Sequence, residues 1–404
     1  MKYTIRLVIL AAMLALTLPA LTQAQTGNGS AGECTDETKG KLYTEYYENR
    51  KGKTAEHPNG DQNVAYDAAK KYLAACPNAD DTDQYAKVLK KFVASYELET
   101  RRGDFLTAFD KKNYQEVMKL GKSVLNDDPN YVRAYLLLGN IGYLASIGGN
   151  NSLNAESANY ARKAIEMLEA GKTADDWRPF LNKDDALAWL NYSLGKTTPN
   201  LTDSIPYLLK GARYESVLKK DPRTFIGIEQ AYENGPYAKL SEDYKQYTGK
   251  AESPEQKLAL ENINQIVDRM LDGYARAIAL AGNDPKHQAN KALWTENMTE
   301  WYKFRHNKEV TGMTEFVAGI LTKPLPDVPT PITTLPSAPA SGSAAAGTAP
   351  AGTTGGTAPL ATQPKQGAAT GEPMQPVNKT TTTPKTTPAT SQAKPKPRSN
   401  HRRK

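Results

Sequence analysis

The chain has 404 residues, 51 Lys and Arg against 44 Asp and Glu for a formal charge of +7, and only two cysteines and four histidines. From Lys323 onward ten Lys and Arg face only Asp327 and Glu372, a surplus of +8; residues 1–24 carry +2, which leaves the intervening segment at about −3. The high isoelectric point therefore belongs to the C-terminal tail and excludes a basic nucleic-acid groove in the folded part, just as the Cys and His counts exclude a zinc framework.

Residues 1–24 read as a secretory signal peptide. Lys2 and Arg6 give a positive start, residues 7–18 are mostly apolar, and Thr22-Gln23-Ala24 resembles a small-residue cleavage site. The mature chain is expected to begin near Gln25. The alternative is an uncleaved anchor, against which stand Pro19 and the polar Thr-Gln step. The apolar run is shorter than the roughly 20 residues that span a bilayer, and no other stretch comes close, so an exported, soluble product in the periplasm or outside the cell is expected. Lipid attachment needs a cysteine directly after the apolar segment, whereas Cys34 lies beyond Gly27, Gly29 and Gly32.

Residues 25–60 read as a loosely ordered N-terminal segment. Two cysteines in an exported chain permit one disulfide, Cys34 to Cys76, tying this segment to a helix that ends near Pro77; the alternative is two free thiols. From there helical periodicity dominates, through Val64, Ala65, Ala68, Ala69, Tyr72 and Leu73, and again through Tyr114, Val117, Leu120, Val124 and Leu125. Strand-like alternation is scarce. The expected helices span 64–75, 81–101, 104–110, 113–126, 131–146, 153–170, 183–195, 202–219, 224–233, 236–247, 254–281 and 287–321, the last broken. Breaks fall at Asp127-Asp128-Pro129-Asn130, Asp221-Pro222 and Gly282-Asn283-Asp284-Pro285. Ser253-Pro254-Glu255-Gln256 is the best single helix start, with Ser as N-cap, Pro at the first helical position and Gln placed to close a capping box.

Around residues 111–144 the chain reads Asn113-Tyr114, Val117, Val124-Leu125, Pro129, Tyr135 and Leu138-Gly139. This pattern resembles the tetratricopeptide repeat, with Tyr114, Val117, Val124, Pro129, Tyr135, Leu138 and Gly139 at its packing positions. Weaker echoes occur at 65–69 with Pro77, at 160–164 and at 208–218 with Pro222. The family period is about 34 residues, so the wider proline spacings here require insertions, read at 147–153 and 171–183, where Trp177 folds back on the array. The resemblance implies an all-α fold, an antiparallel helix-pair solenoid over residues 61–250, with helices 251–322 packing on it. It also implies ligand-facing positions at Arg133, Leu136, Asn140, Tyr143 and Leu144, with a solvated helix face as the plainer reading.

Catalytic motifs are missing from the sequence. Gly148-Gly149-Asn150-Asn151 lacks the lysine and preceding strand of a phosphate loop. His57, His287, His306 and His401 are far apart, which assigns them to the surface. Asn78, Asp80, Asp81 and Asp83 lack the glycine and terminal glutamate of a calcium loop and read as helix caps. The 22 tyrosines against 7 phenylalanines fit a modest core whose hydroxyls reach polar partners, with a minority left to line a peptide groove. Residues 323–404, rich in Pro, Thr, Ala, Gly and Ser, read as a disordered tail whose basic end either contacts anionic envelope polymers or serves as a spacer. Taken together these features point to an exported scaffold or adaptor that binds a protein or peptide and uses no cofactor, metal or catalysis. The rivals are a rigid spacer with an envelope-contacting tail and, further back, a glycan-active enzyme whose two carboxylates converge on folding.

Overall fold

The computed structural model describes residues 34–50, 60–77, 79, 83–335 and 375–376. The signal peptide, the caps assigned to Asn78, Asp80 and Asp81, His57, His401 and nearly all of the tail lie outside the described residues. Those described form an all-α protein with no strand among them. The chain divides into two units, Met1–Thr100 and Arg101–Lys404.

In the first unit Thr35 opens α1 (Asp36–Asn49), its hydroxyl accepting from the Thr38 amide at 3.2 Å. Asp61 opens α2 (Gln62–Ala75), accepting from the Asn63 amide at 2.8 Å. Asp83 opens α3 (Gln84–Asp110), accepting from the Tyr85 and Ala86 amides, both at 3.0 Å. These side chains satisfy amides that a helix start leaves without partners. Ala65, Ala68, Ala69 and Tyr72 form one buried stripe that packs with Tyr46, Leu89 and Val93. Cys34, just ahead of α1, is disulfide-bonded to Cys76 at the end of α2. The Tyr72 hydroxyl donates to Asp83 at 3.1 Å and Tyr66 to Glu97 at 2.8 Å, as expected for tyrosines that pack yet need a polar partner.

Two expectations are corrected here. Residues 25–60 are not loose throughout, because α1 is a capped helix that buries Tyr46. The helices expected at 81–101 and 104–110 are one, since Gly103 sits in the helix interior without breaking it.

The second unit continues from the end of α3 through α4 (Tyr114–Asp127), α5 (Val132–Ile147), α6 (Asn154–Glu169), α7 (Lys183–Thr197), α8 (Leu201–Arg213), α9 (Pro222–Tyr232), α10 (Ala238–Tyr244), α11 (Pro254–Ala281), α12 (Gln288–Arg305) and α13 (Met313–Gly319). Helices α4 to α8 pack on their sequence neighbours, α5 also on α7, while α9 and α13 pack mainly on α11. Helix α5 is apolar almost all round and buried over most of its length, as a helix enclosed by neighbours must be. Where it meets α6, Ser157 donates to the Leu138 carbonyl at 2.6 Å and accepts from the Gly142 amide at 2.9 Å. Trp177 does fold back onto the core of this unit.

Past Thr322 the composition assigns the chain to the tail, but residues 323–332 run beside α11. Arg276 donates to the Lys323 and Pro324 carbonyls, Arg269 to that of Asp327, and Asn262 to that of Ile332. Composition marks this segment as unable to build a core of its own; it is held instead by side chains of helices already folded.

Candidate functional site

The residues expected to face a ligand are packed inside the helix array, and that expectation is corrected. Leu136, Asn140, Tyr143 and Leu144 are all buried. Asn140 accepts a hydrogen bond from Ser193 of α7 at 2.5 Å. Tyr143 lies against Tyr192, ring centroids 5.4 Å apart and edge to face, and burial pushes its hydroxyl up to about 12. Arg133 pairs with Asp176 at 3.0 Å. Hydrogen bonding from Arg178, with Arg133 adding to it, holds the Asp176 carboxyl at about 2. The reason is α5 itself: α4, α6 and α7 all pack on it and leave no open face.

The positions matched to repeat packing are structural. Val117, Val124 and Leu138 are fully buried, Tyr135 donates to the Pro129 carbonyl at 3.2 Å, and Tyr114 begins α4. Gly139 is the tightest of them: a Cβ there would lie 2.7 Å from Ala161 Cα and 2.8 Å from Leu190 Cδ2. At that point α5, α6 and α7 meet with no room for a methyl group.

A pair of buried carboxyls does exist, and the sequence reading missed it. Glu229 and Glu233 stand one helical turn apart, Glu229 in α9 and Glu233 opening a π-helical turn, Glu233–Tyr237, that carries Pro236. They are 1 % and 7 % exposed. Burial raises both, Glu229 well above the usual carboxylate range, and the neighbouring Glu233 carboxyl pushes Glu229 further in the same direction. The helices close over them: a Cβ on Gly273 would lie 2.9 Å from Glu229 Cβ. Two glutamates at i, i+4 inside an apolar stretch, where like charges repel, were the available sequence signal.

A carboxyl whose folded pKa is raised contributes stability that is fully present below its ordinary range and is lost as pH rises. Glu229→Gln removes that loss, so the variant is expected to melt higher than the wild-type chain at about pH 8 and almost equally at about pH 4. Thermal melts at both values check this; a variant less stable at the higher pH would mean that Glu229 is ionised and paired.

On the opposite face of α9 a cavity of about 240 Å³ is lined by Lys196, Leu201, Ser204, Leu208, Gln230 and Asn234, among others. It touches neither glutamate. His287 closes a short turn and His306 stacks on Tyr302 at 4.1 Å. Among the described residues no group of three His, Cys, Asp or Glu side chains could hold a metal ion, and no helix is long and apolar enough to cross a membrane. Compared with protein families, with curated proteins and with solved structures, the chain has no match.

Proposed function

We propose that this chain is an exported scaffold of tetratricopeptide-like helix pairs that works by binding another protein and not by catalysis. The observation that supports it is the packing of α5 on both its successor and the helix after that, with Gly139 at the three-helix junction. Stacked helix pairs need that pattern, because each pair buries its apolar stripe on the next. The Cys34–Cys76 disulfide supports export to an oxidising compartment.

One observation favours an enzyme, the carboxyl pair Glu229 and Glu233. Glycan hydrolysis places a sugar between two carboxyls roughly 5–9.5 Å apart. Here the two are buried, and α11 packs so closely on Glu229 that a Cβ on Gly273 would lie 2.9 Å from its Cβ, which supports the scaffold reading over the enzyme. The spacer reading draws on the tail root, which is fastened to α11 and would carry the tail's surplus positive charge toward anionic envelope polymers.

The test is affinity capture with crosslinking from the envelope fraction, comparing the mature chain with one ending at Leu335. The same dominant protein on both, crosslinked to the second unit, is the expected result. Recovery that depends wholly on the residues beyond Leu335 would defeat the adaptor reading in favour of the spacer.

A further inference from the structure

The side chains that hold residues 323–332 form a regular ladder. Asn262, Arg269 and Arg276 follow one another at intervals of seven along α11, which puts them on one face. Arg276 is 5 % exposed and is fixed by Asp272, whose carboxylate accepts from its Nε at 2.6 Å. Its Nη2 is thereby aimed at the carbonyls of Lys323 at 3.0 Å and Pro324 at 2.8 Å. Arg269 Nε donates to the Asp327 carbonyl at 2.8 Å. Asn262 holds Ile332 from both sides, donating to its carbonyl at 3.0 Å and accepting from its amide at 2.8 Å. Arg213, at the end of α8, reaches the Leu325 and Pro326 carbonyls and the Asp327 carboxylate.

The held segment matches this ladder in length and in chemistry. Fourteen residues of α-helix from Asn262 to Arg276 rise about 21 Å, and the eight steps from Pro324 to Ile332 cover about 25 Å as polyproline II. Pro324, Pro326, Pro329 and Pro331 carry no amide hydrogen, so the strand offers mainly acceptors, and the ladder offers mainly donors. Pro326, Pro329 and Ile332 are the half-buried positions, together with Leu325. A spacing of three is the repeat of a polyproline II helix, which turns one side to the surface it lies on. Six of the seven acceptors are backbone carbonyls, so recognition is of an extended conformation more than of particular side chains.

We propose that this face of α11, with Arg213, is a binding groove for an extended, proline-rich peptide bearing one carboxylate, and that the chain's own residues 323–332 occupy it as a built-in competitor. It rests on the adaptor reading and deepens it by naming the partner's chemistry, Pro-x-Pro-Asp-x-Pro-x-Pro followed by an apolar residue. A short tether gives the internal segment an effective concentration in the millimolar range, so a partner peptide binds only when it outcompetes that segment or when the segment is released.

The test uses the full chain and a fluorescent synthetic peptide of residues 323–335. Asp327→Lys with Ile332→Pro in the chain removes the carboxylate and the amide that donates to Asn262 and leaves the groove intact. That variant is expected to bind the wild-type peptide at least about tenfold tighter than the unaltered chain does, and not to bind a peptide with the same two changes. Equal affinity for both chains, or no binding by a variant of unchanged helix content, overturns the proposal. Should the variant not fold, exchange of the Ile332 amide in the unaltered chain decides: excess peptide accelerates it if the groove is shared, and no change overturns the idea. Protein capture that survives while the peptide fails to bind removes the groove alone; the converse removes the adaptor reading.

Discussion

Replacing both cysteines, Cys34→Ala with Cys76→Ala, is expected to destabilise the first unit by about 4 kcal/mol, the chain-entropy value for a loop of this length. The bridge spans a sequence separation of 42 and pins the residue just ahead of α1 to the close of α2. Its loss frees the unfolded chain far more than it alters the folded one. A stability of about 5–15 kcal/mol is usual for a whole domain, and a unit of three helical segments sits at the low end of size, where about 40 % of the unfolded surface stays exposed even after folding. The doubly substituted chain should therefore be cut by protease within α1 and α2 under conditions where the native chain is intact. A loss below about 1 kcal/mol, measured by urea denaturation, would show that Tyr46, Ala68 and Tyr72 hold the helices without the bridge. The same dependence would make this unit sensitive to a reducing compartment.

Two glycine substitutions are expected to have opposite signs. In a helix interior alanine is favoured over glycine by about 1 kcal/mol, and Gly103 of α3 has nothing within 4 Å of the site its Cβ would take. Gly103→Ala should therefore stabilise by about 0.5–1 kcal/mol. At Gly139 the same gain meets the Ala161 backbone, Cα at 2.7 Å and N at 2.9 Å. A flexible side chain could turn away, but a helix backbone moves only with its helix, and overpacking of this sort costs about 1–3 kcal/mol. Gly139→Ala should be the less stable protein, Gly139→Leu much more so. Urea denaturation of the variants settles the sign, and a stabilised Gly139→Ala would mean that α5, α6 and α7 do not cross as described.

What the sequence made legible was whatever depends on one helix at a time. The stripe Ala65, Ala68, Ala69 and Tyr72 is buried as its spacing requires, and Ser253 caps α11, accepting from the Gln256 amide at 3.2 Å. The Gln256 side chain, however, donates to the Tyr244 hydroxyl instead of closing the capping box. That partner is set by tertiary contact, which no four-residue pattern records. Helix α1 was hidden because the residues on either side of it are rich in Gly and Lys, although Thr35, Asp36 and Glu37 form an ordinary start. The ligand-facing positions failed for a physical reason: carrying a repeat's register onto α5 assumes an open side, and α4, α6 and α7 leave none. The glutamate pair and the proline-spaced strand were both visible as residues, but each acquires meaning only from α11, far along the chain.

All four tryptophans, Trp177, Trp189, Trp294 and Trp301, belong to the core of the second unit, as buried residues or packed against it, whereas the first unit contains tyrosine and phenylalanine as its only aromatic residues. Indole emission therefore reports on the second unit and is blind to melting of the first. An unfolding curve followed by tryptophan fluorescence and one followed by far-ultraviolet dichroism should separate wherever the disulfide-bonded unit gives way first, so the native sequence already carries its own pair of optical labels.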